Sequence, residues 1–242
     1  MRSYKNILAM DCSTDVLSIA LQAGDQQWSE ERVGGAQASA KVLGLLEKLL
    51  AQAKLGWADV DVFVFGRGPG AFTGVRVACA IAQGLSVAQA SPLMPLSGLL
   101  AIAEDARQKQ ITAQTIGATA ALQVLAVQDA RMGQAYTAEC VFDGQSWSLG
   151  AESLQAYADL QTCQANFLCA GNVRAALHTA GIDLPDDFVD AMPRADALLR
   201  VAQQYLAQGE LPINDAALAL PTYVRDKVAQ TTAERLLAKQ RA

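Results

Sequence analysis

The sequence predicts an α/β protein made of two related lobes, and three observations lead to this fold class. Short apolar strands alternate with segments of helical spacing in both halves of the chain. A unit of apolar strand, aspartate, turn and second strand occurs twice, at 6–25 and at 123–144. Hydrophobic residues make up 52% of the 242 residues and charged residues only 18%, as is typical of a well-buried globular chain. The pattern alone leaves both an internal duplication and a coincidence open.

The first half is predicted to begin with a β-meander whose first turn carries Asp11, Ser13 and Thr14. Helices are indicated where apolar residues recur every three or four positions, and short apolar runs indicate strands. The predicted strands are 5–11, 16–23, 27–33, 61–66 and 92–97, and the predicted helices are 36–53, 74–89 and 97–107. Ser97 is the expected N-cap of the third helix. These elements form the predicted first lobe, residues 1–108.

The second half is predicted to repeat this course as a second lobe, residues 109–242. Strands are expected within 123–144, at 167–172 and at 187–192, followed by a helix at 194–208. We expect this last helix to pack back on the first lobe. The segment PTYVRDKVAQTT (221–232) and a polar, charged tail follow it.

Charge, apolar runs and cysteine usage argue against several classes of protein. The net charge of −5 disfavours a chain that coats nucleic acid nonspecifically. The apolar run near the N-terminus, Ile7 to Met10, is too short for a signal peptide or a membrane span, so we expect a cytoplasmic protein with no membrane contact. The five cysteines form no CxxC pair and His178 is the single histidine, so disulfides, metal sites and Ser-His-Asp triads are not indicated.

The segment GRGPGAFTGVR (66–76) predicts a strand exit, a tight turn and a helix entry. Its first three glycines permit positive φ, and the proline fixes one turn position. The segment lacks the GK[ST] ending of a P-loop and the glycine spacing of a dinucleotide fingerprint. A phosphate cradle and a purely structural corner therefore both remain open. The residues of this loop are Gly66, Arg67, Gly68, Pro69, Gly70, Phe72, Thr73 and Gly74.

Thr73 is the predicted N-cap of the helix that follows, which places Arg76 in the first turn and makes Phe72 and Val77 a hydrophobic staple. A first-turn arginine opposes the helix dipole, where an acidic residue would be favoured by roughly 0.3–1 kcal/mol. We therefore expect Arg76 to have a carboxylate or phosphate partner. The candidates are Asp11 and an acidic group of a partner chain.

The helices at 36–53 and 74–89 carry unusually few charges, and Arg76 is the single charge of the second. A helix that is apolar nearly all round must be covered on two sides. An interface with helices of another protein and cover by the second lobe both remain open. The predicted interface residues are Val42, Leu45, Leu46, Leu49, Val75, Arg76, Val77, Ala78, Ile81 and Leu85.

Four segments resemble the TsaB (YeaZ) family in their residues, order and spacing. They are ILAMDCSTDVLSIAL, GRGPGAFTGVRVACAIAQGLSVA, VQDARMGQAYTA and PTYVRDKVA, and the resemblance covers essentially the whole chain. It implies two lobes of the actin-like ATPase (ASKHA, ribonuclease H-like) fold. It also implies a part in forming N6-threonylcarbamoyladenosine at adenosine 37 of tRNAs that read ANN codons. In this system the related protein TsaD carries the catalysis.

The resemblance implies a scaffold subunit that is not an enzyme by itself. Its two first-lobe helices would pair with those of TsaD as a four-helix bundle, and the chain alone would form a homodimer through an overlapping surface. The ATPase TsaE would join the pair, and tRNA would be reached only through the complex. ATP, magnesium and a metal held by TsaD would serve the complex, whereas this subunit alone would bind no cofactor and no metal. The 36–53 helix agrees, because it has no histidine pair for a metal.

No catalytic residue is predicted within this chain. Asp11, Ser13 and Thr14 match the first phosphate-motif position of the fold, and without a lysine or glutamate constellation they are interpreted as vestigial. Asp129 and Arg131 match a DAR motif of the family and receive no role. The alternative is an actin-fold phosphotransferase that uses Asp11 and the 66–76 loop with ATP and magnesium. A peptidase, suggested by historical family naming, is disfavoured by the single histidine.

Overall fold

Two mixed β-sheets and five helices form the part of the chain that the computed structural model describes, residues 4–34, 38–160 and 167–225. The strands of the first sheet are β1 (Asn6–Asp11), β2 (Val16–Ala23), β3 (Gln26–Val33), β4 (Val62–Gly66) and β5 (Leu93–Leu96), and the helices among them are α1 (Ala38–Gln52), α2 (Phe72–Gln89) and α3 (Gly98–Thr112). The second half contains β6 (Leu122–Asp129), β7 (Gln134–Phe142), β8 (Trp147–Leu149), β9 (Ser153–Ala156), β10 (Leu168–Gly171), α4 (Arg174–Thr179), β11 (Val189–Asp190) and α5 (Ala195–Ala207). The predicted α/β class is confirmed.

The two sheets have the same strand order. In the first, β3-β2-β1-β4-β5, an antiparallel meander is joined to parallel strands through β1. In the second, β6 pairs antiparallel with β7 and parallel with β10, and β11 follows in parallel. Each central strand, β1 or β6, ends in an aspartate, Asp11 or Asp129. This shared order agrees with the duplicated unit in the sequence.

Two helices exchange sheets between the lobes. α3 follows a strand of the first sheet but packs on β6 and β10, whereas α5 follows the second sheet and packs on β1 and β2. The two helices also contact each other, so the central core contains both of them between the inner faces of the two sheets. The predicted lobe boundary after residue 108 falls inside α3, because the helix continues through its polar last turn to Thr112.

A buried carboxylate joins these layers. Glu104 of α3 is fully buried and accepts two hydrogen bonds from Arg107, at 2.9 and 3.0 Å. The indole Nε1 of Trp147, on β8, donates to the same carboxylate at 2.8 Å. Arg200 of α5 places its Nε 3.3 Å from Glu104 Oε1. Helices from both halves of the chain are therefore connected through one ion cluster in the core.

The sequence pattern did not indicate β8, β9 and α4, which are short and partly polar. It placed the other elements to within a few residues, and Ser97 caps α3 as predicted by accepting from the Leu99 N–H at 3.1 Å. The predicted segment 221–232 is described only as far as Arg225, and the predicted tail that follows it lies outside the described residues. Over the described part of the chain, no helix has both the length and the apolar character that crossing a bilayer requires.

Candidate functional site

The glycine-rich loop forms a close-packed corner against the turn after β1. A Cβ at Gly66 would lie 1.9 Å from Asp11 Oδ2, and one at Gly74 would lie 1.7 Å from the carbonyl oxygen of Cys12. Gly68 has a φ of 101°, as predicted, and its peptide bond to Pro69 is cis. Gly66 does not use the positive φ that glycine permits, and the approach of the Asp11 carboxylate is what requires a glycine there. Packing therefore accounts for these glycines.

α2 begins earlier than predicted. Its N-cap is Ala71, whose carbonyl accepts from the Val75 N–H at 3.0 Å, and the Ala71 N–H donates to Ser13 O at 2.7 Å. This bond to the neighbouring turn fixes the first helical residue at Phe72. Thr73 consequently lies inside the helix and does not cap it, and Phe72 and Val77 do not form the predicted staple.

Arg67 is bound within the chain. Its Nη2 lies 3.0 Å from Glu152 Oε2, in the loop before β9, and its Nη1 bonds Thr222 Oγ1. The other oxygen of Glu152 accepts from the Ser97 hydroxyl at 2.6 Å. Arg67 therefore ties the glycine-rich loop to the second half of the chain, and this arrangement does not favour the phosphate-cradle hypothesis.

Arg76 has aromatic neighbours, whereas a carboxylate or phosphate partner was predicted. Its guanidinium carbon lies 3.5 Å from the ring centroid of Phe72 and 5.3 Å from that of Tyr223. Its Nε donates to the Tyr223 hydroxyl at 2.8 Å. The predicted pairing with Asp11 is wrong, because that carboxylate is fully buried beside Ser13 and Gly66. Within the described ranges, no ion pair involves Arg76.

A cleft of about 680 Å³ opens between the lobes where β1 and β6 end. Thr14 and residues 69–72 line it on one side, and Asp129 and Asn172 line it on the other. Arg131 spans the cleft, with its Nη2 2.5 Å from Asp15 Oδ2. The structure thus brings both predicted aspartate turns to one site, although Asp11 itself does not line the cleft.

The two aspartates that end the central strands are held by protein groups. Asp11 Oδ1 accepts from the Ser13 amide at 2.8 Å and from its hydroxyl at 2.7 Å. Burial raises the pKa of Asp11 from 3.8 to about 6, and the two Ser13 hydrogen bonds oppose this shift. Asp129 Oδ1 accepts from the Arg131 amide and from the Tyr157 hydroxyl, both at 2.7 Å. Burial, followed by the bond to Asp129, raises the pKa of Tyr157 above its ordinary value.

This donor set does not fit a magnesium-bound nucleotide. Asp11 Oδ2 is buried against Gly66 and accepts no hydrogen bond from a described residue. Because it is enclosed there, it cannot reach a ligand in the cleft. Asp129 already accepts two protein hydrogen bonds. Over the described residues, no cluster of three or more His, Cys, Asp or Glu side chains is arranged to hold a metal ion. His178 is exposed on α4, whereas the four described cysteines are buried.

Half of the predicted interface residues belong to the protein's own core. Packing of α1 and α2 on the outer face of the first sheet buries them almost completely, so a partner cannot contact these side chains. These residues are Val42, Leu46, Leu49, Val75 and Ala78. The other predicted side chains are half-buried, apart from exposed Arg76, and they are Leu45, Val77, Ile81 and Leu85.

α2 nevertheless has an exposed face with almost no charge. This face, here called the α2 outer face, consists of Thr73, Arg76, Ala80, Gly84, Val87 and Ala88. Val87 is 75% exposed, and Leu43 of the adjacent α1 is 45% exposed. Among the described residues after α5, Ala216 and Ala219 bond Gln83 and Cys79 of α2, and Tyr223 bonds Arg76. These contacts leave the α2 outer face exposed, so the described part of the second lobe does not support the alternative that this lobe covers both helices. The scarcity of charge in the sequence indicated an apolar helix here, but only the structure separates its exposed face from its buried one.

Known proteins resemble the chain in sequence and in fold. The family model described as "TsaD: tRNA N6-adenosine threonylcarbamoyltransferase" matches residues 32–233. The tRNA threonylcarbamoyladenosine biosynthesis protein TsaB of Escherichia coli K12 is 29% identical, over 92% of this chain and 96% of that protein. TsaB of Haemophilus influenzae is 36% identical, over 56% of this chain and 53% of that protein.

Two solved structures from Pseudomonas aeruginosa are similar over nearly their whole length. One is described as an uncharacterized protein with similarity to peptidase YEAZ, and it aligns with 91% of this chain and 100% of its own at a TM-score of 0.77 and 30% identity. The other, YeaZ, aligns with 90% of this chain and 99% of its own at a TM-score of 0.76 and 30% identity.

The repeated sheet order and the cleft between the lobes define a two-lobed protein of the actin-like α/β class. Within this class, the match to the TsaD family model extends over most of the chain, and the two YeaZ-like structures align with 91% and 90% of it. The chain belongs to the TsaB (YeaZ) family.

Proposed function

We propose that this protein is a non-catalytic scaffold of the complex that installs the threonylcarbamoyl group on N6 of adenosine 37 in tRNAs reading ANN codons. Family membership supports a role in tRNA threonylcarbamoyladenosine biosynthesis. The observation that carries the scaffold role is the α2 outer face, an exposed helix surface with one charge. Such a surface is typical of an interface that a second protein covers. The proposed partner is TsaD, which docks on the exposed faces of α1 and α2.

The cleft supports a subunit that performs no chemistry by itself. The Asp11 carboxylate is enclosed behind the lining of the cleft, and Arg131, which lines the cleft, is paired with Asp15 at 2.5 Å and with Asp129 at 3.6 Å. We therefore propose that ATP, magnesium and a metal held by TsaD serve the assembled complex. TsaE joins this complex, tRNA is bound through the assembly, and the isolated chain forms a homodimer through the overlapping helix face.

The alternative function is a phosphotransferase that uses Asp11 and the 66–76 loop. No described contact favours it, because Arg67 is bound to Glu152, and Arg76 lies between Phe72 and Tyr223. Micromolar binding of ATP with magnesium by the isolated chain, lost on Asp11→Ala, would restore this alternative.

The scaffold proposal is tested by the affinity of the purified chain for TsaD from the same organism. A charge at the fully buried Ala78 would disturb the core, so the variant is placed on the exposed Ala80, as Ala80→Glu. We expect Ala80→Glu to weaken binding by about tenfold or more, because the longer side chain would stand in a surface of small residues, and its carboxylate, one turn from Arg76, would bring a second charge into the interface. Ala207→Glu, on the exposed end of α5, is the matched control.

Both variants should unfold at the same denaturant concentration as the unmodified chain. Unchanged affinity of Ala80→Glu would remove the interface assignment. In a tRNA modification assay with TsaD and TsaE, product should depend on this chain and should survive Asp11→Ala. Loss of product with folded Asp11→Ala would remove the non-catalytic assignment.

A further inference from the structure

A C-terminal segment crosses α2 beside its outer face. Residues 216–224, here called the strap, follow the bridge between Ile213 and Leu93 at the edge of the first sheet. The carbonyl of Ala219 accepts from Gln83 Nε2 at 3.2 Å and from Cys79 Sγ at 3.3 Å. The Thr222 N–H donates to Arg67 O at 2.7 Å. These bonds fix the strap on α2 and on the glycine-rich loop.

The strap presents apolar side chains to solvent. Ala219 is fully buried against α2, while its neighbours Leu218 and Leu220 are 68% and 61% exposed. Tyr223, at the end of the strap, is 48% exposed and contacts Phe72 of α2 at 5.5 Å between ring centroids. The strap contains no charged residue. It therefore extends the apolar surface beyond the helices.

Arg76 is the single charge within α2 and the strap, and its side chain is held in place. Stacking on Phe72 and the bond from Nε to the Tyr223 hydroxyl fix the plane of the guanidinium. Its two terminal nitrogens make no described hydrogen bond or ion pair. A guanidinium held in this way can bond a carboxylate with two parallel N–H groups and loses little side-chain entropy on doing so.

We propose that the strap and Arg76 form one anion-binding part of the docking face, which takes a single carboxylate projecting from an otherwise apolar helical surface of TsaD. This inference rests on the proposed function and names the chemistry of the partner at that site. A partner that covered Leu218, Leu220 and the α2 outer face would also remove water from Arg76. Burial of that charge without an anion is costly, so the partner must supply one negative group. The single positive charge of Arg76, surrounded by apolar side chains, is therefore complementary to a single carboxylate in an apolar surface of TsaD.

The test measures the affinity of TsaD by calorimetry at low and moderate salt. Arg76→Gln is expected to weaken binding by about 10- to 100-fold and to remove most of the salt dependence. Leu218→Asp is expected to weaken binding about as much. Arg32→Gln and Val33→Asp, exposed on β3 at the opposite edge of the first sheet, are the matched controls and should bind as the unmodified chain does.

A charge-reversal screen identifies the partner group. Arg76→Glu is combined with Lys substitutions of the individual Asp and Glu residues on the TsaD helices, and one substitution should restore the lost affinity. If both Arg76→Gln and Leu218→Asp bind TsaD as tightly as the unmodified chain does, this inference is overturned while the scaffold role stands. If Arg76→Gln weakens binding but no reversal restores it, the carboxylate assignment is overturned. If the unmodified chain forms no complex, the proposed function itself fails.

Discussion

The carboxylate of Asp11 lies directly against the backbone of Gly66, so that a Cβ at position 66 would stand 1.9 Å from Asp11 Oδ2. The two residues end neighbouring parallel strands, and Ser13 holds the opposite oxygen of the carboxylate. In this position Asp11 is a structural group, whose packing and protonation both affect the stability of the fold.

Gly66→Ala should destabilise the fold by at least about 2 kcal/mol, because the added methyl group must displace a buried carboxylate or the strand end. Urea unfolding of both proteins measures this difference. Gly44→Ala is the control, because nothing lies within 4 Å of a Cβ there and the site is an exposed helix interior. The control should gain roughly 0.5–1 kcal/mol. Equal stability of Gly66→Ala and the unmodified chain would contradict the close approach.

Asp11→Asn should become more stabilising, relative to the unmodified chain, as pH rises from 4 to 6. Burial raises the pKa of Asp11 from 3.8 in the unfolded chain to about 6 in the folded protein, so the neutral carboxyl stabilises the fold. This stabilisation is fully present below pH 3.8 and is lost as the pH rises through about 6. The difference in free energy of unfolding should grow by on the order of 2–3 kcal/mol across this window and then level off. Chemical unfolding of both proteins between pH 4 and 7.5 measures it, and a difference that does not vary with pH would contradict the raised pKa.

Glu104→Ala should cost about 3–5 kcal/mol of unfolding free energy, because it leaves buried Arg107 and the Trp147 indole without their acceptor. Glu47→Ala, exposed on α1, is the matched control and should change stability by less than about 0.5 kcal/mol. Denaturant unfolding compares the two. A cost for Glu104→Ala as small as that of the control would show that the ion cluster does not hold the lobes together.

The isolated chain should show no micromolar binding of ATP with magnesium in calorimetry. Asp11 is enclosed against Gly66, the cleft residues Asp15 and Asp129 are paired with Arg131, and Asp129 already accepts from Tyr157 at 2.7 Å. Asp129→Ala, which removes one of the two aspartates paired with Arg131, serves as a comparison, because it should not create such binding either. Binding that Asp11→Ala removes would contradict this expectation.

The sequence predicted those features that depend on local pattern. Strand β2 was predicted with its observed bounds, because buried residues run through it between two turns. The start of α2 could not be predicted, since a tertiary bond from Ala71 to Ser13 sets it. The partner of Arg76 could not be predicted either, because Tyr223 is distant in the chain. Apolar spacing identified the helices but could not separate Ala78, buried in the core, from Ala80, exposed to solvent.

The exchange of α3 and α5 between the sheets has a consequence for any attempt to divide the protein. Each sheet receives the helix that covers its inner face from the opposite half of the chain. A gene cut after Thr112 would give one fragment whose first sheet lacks α5, and another whose second sheet lacks α3. Neither fragment would be a self-sufficient module, and the described chain is therefore one folding unit despite its two-fold internal architecture.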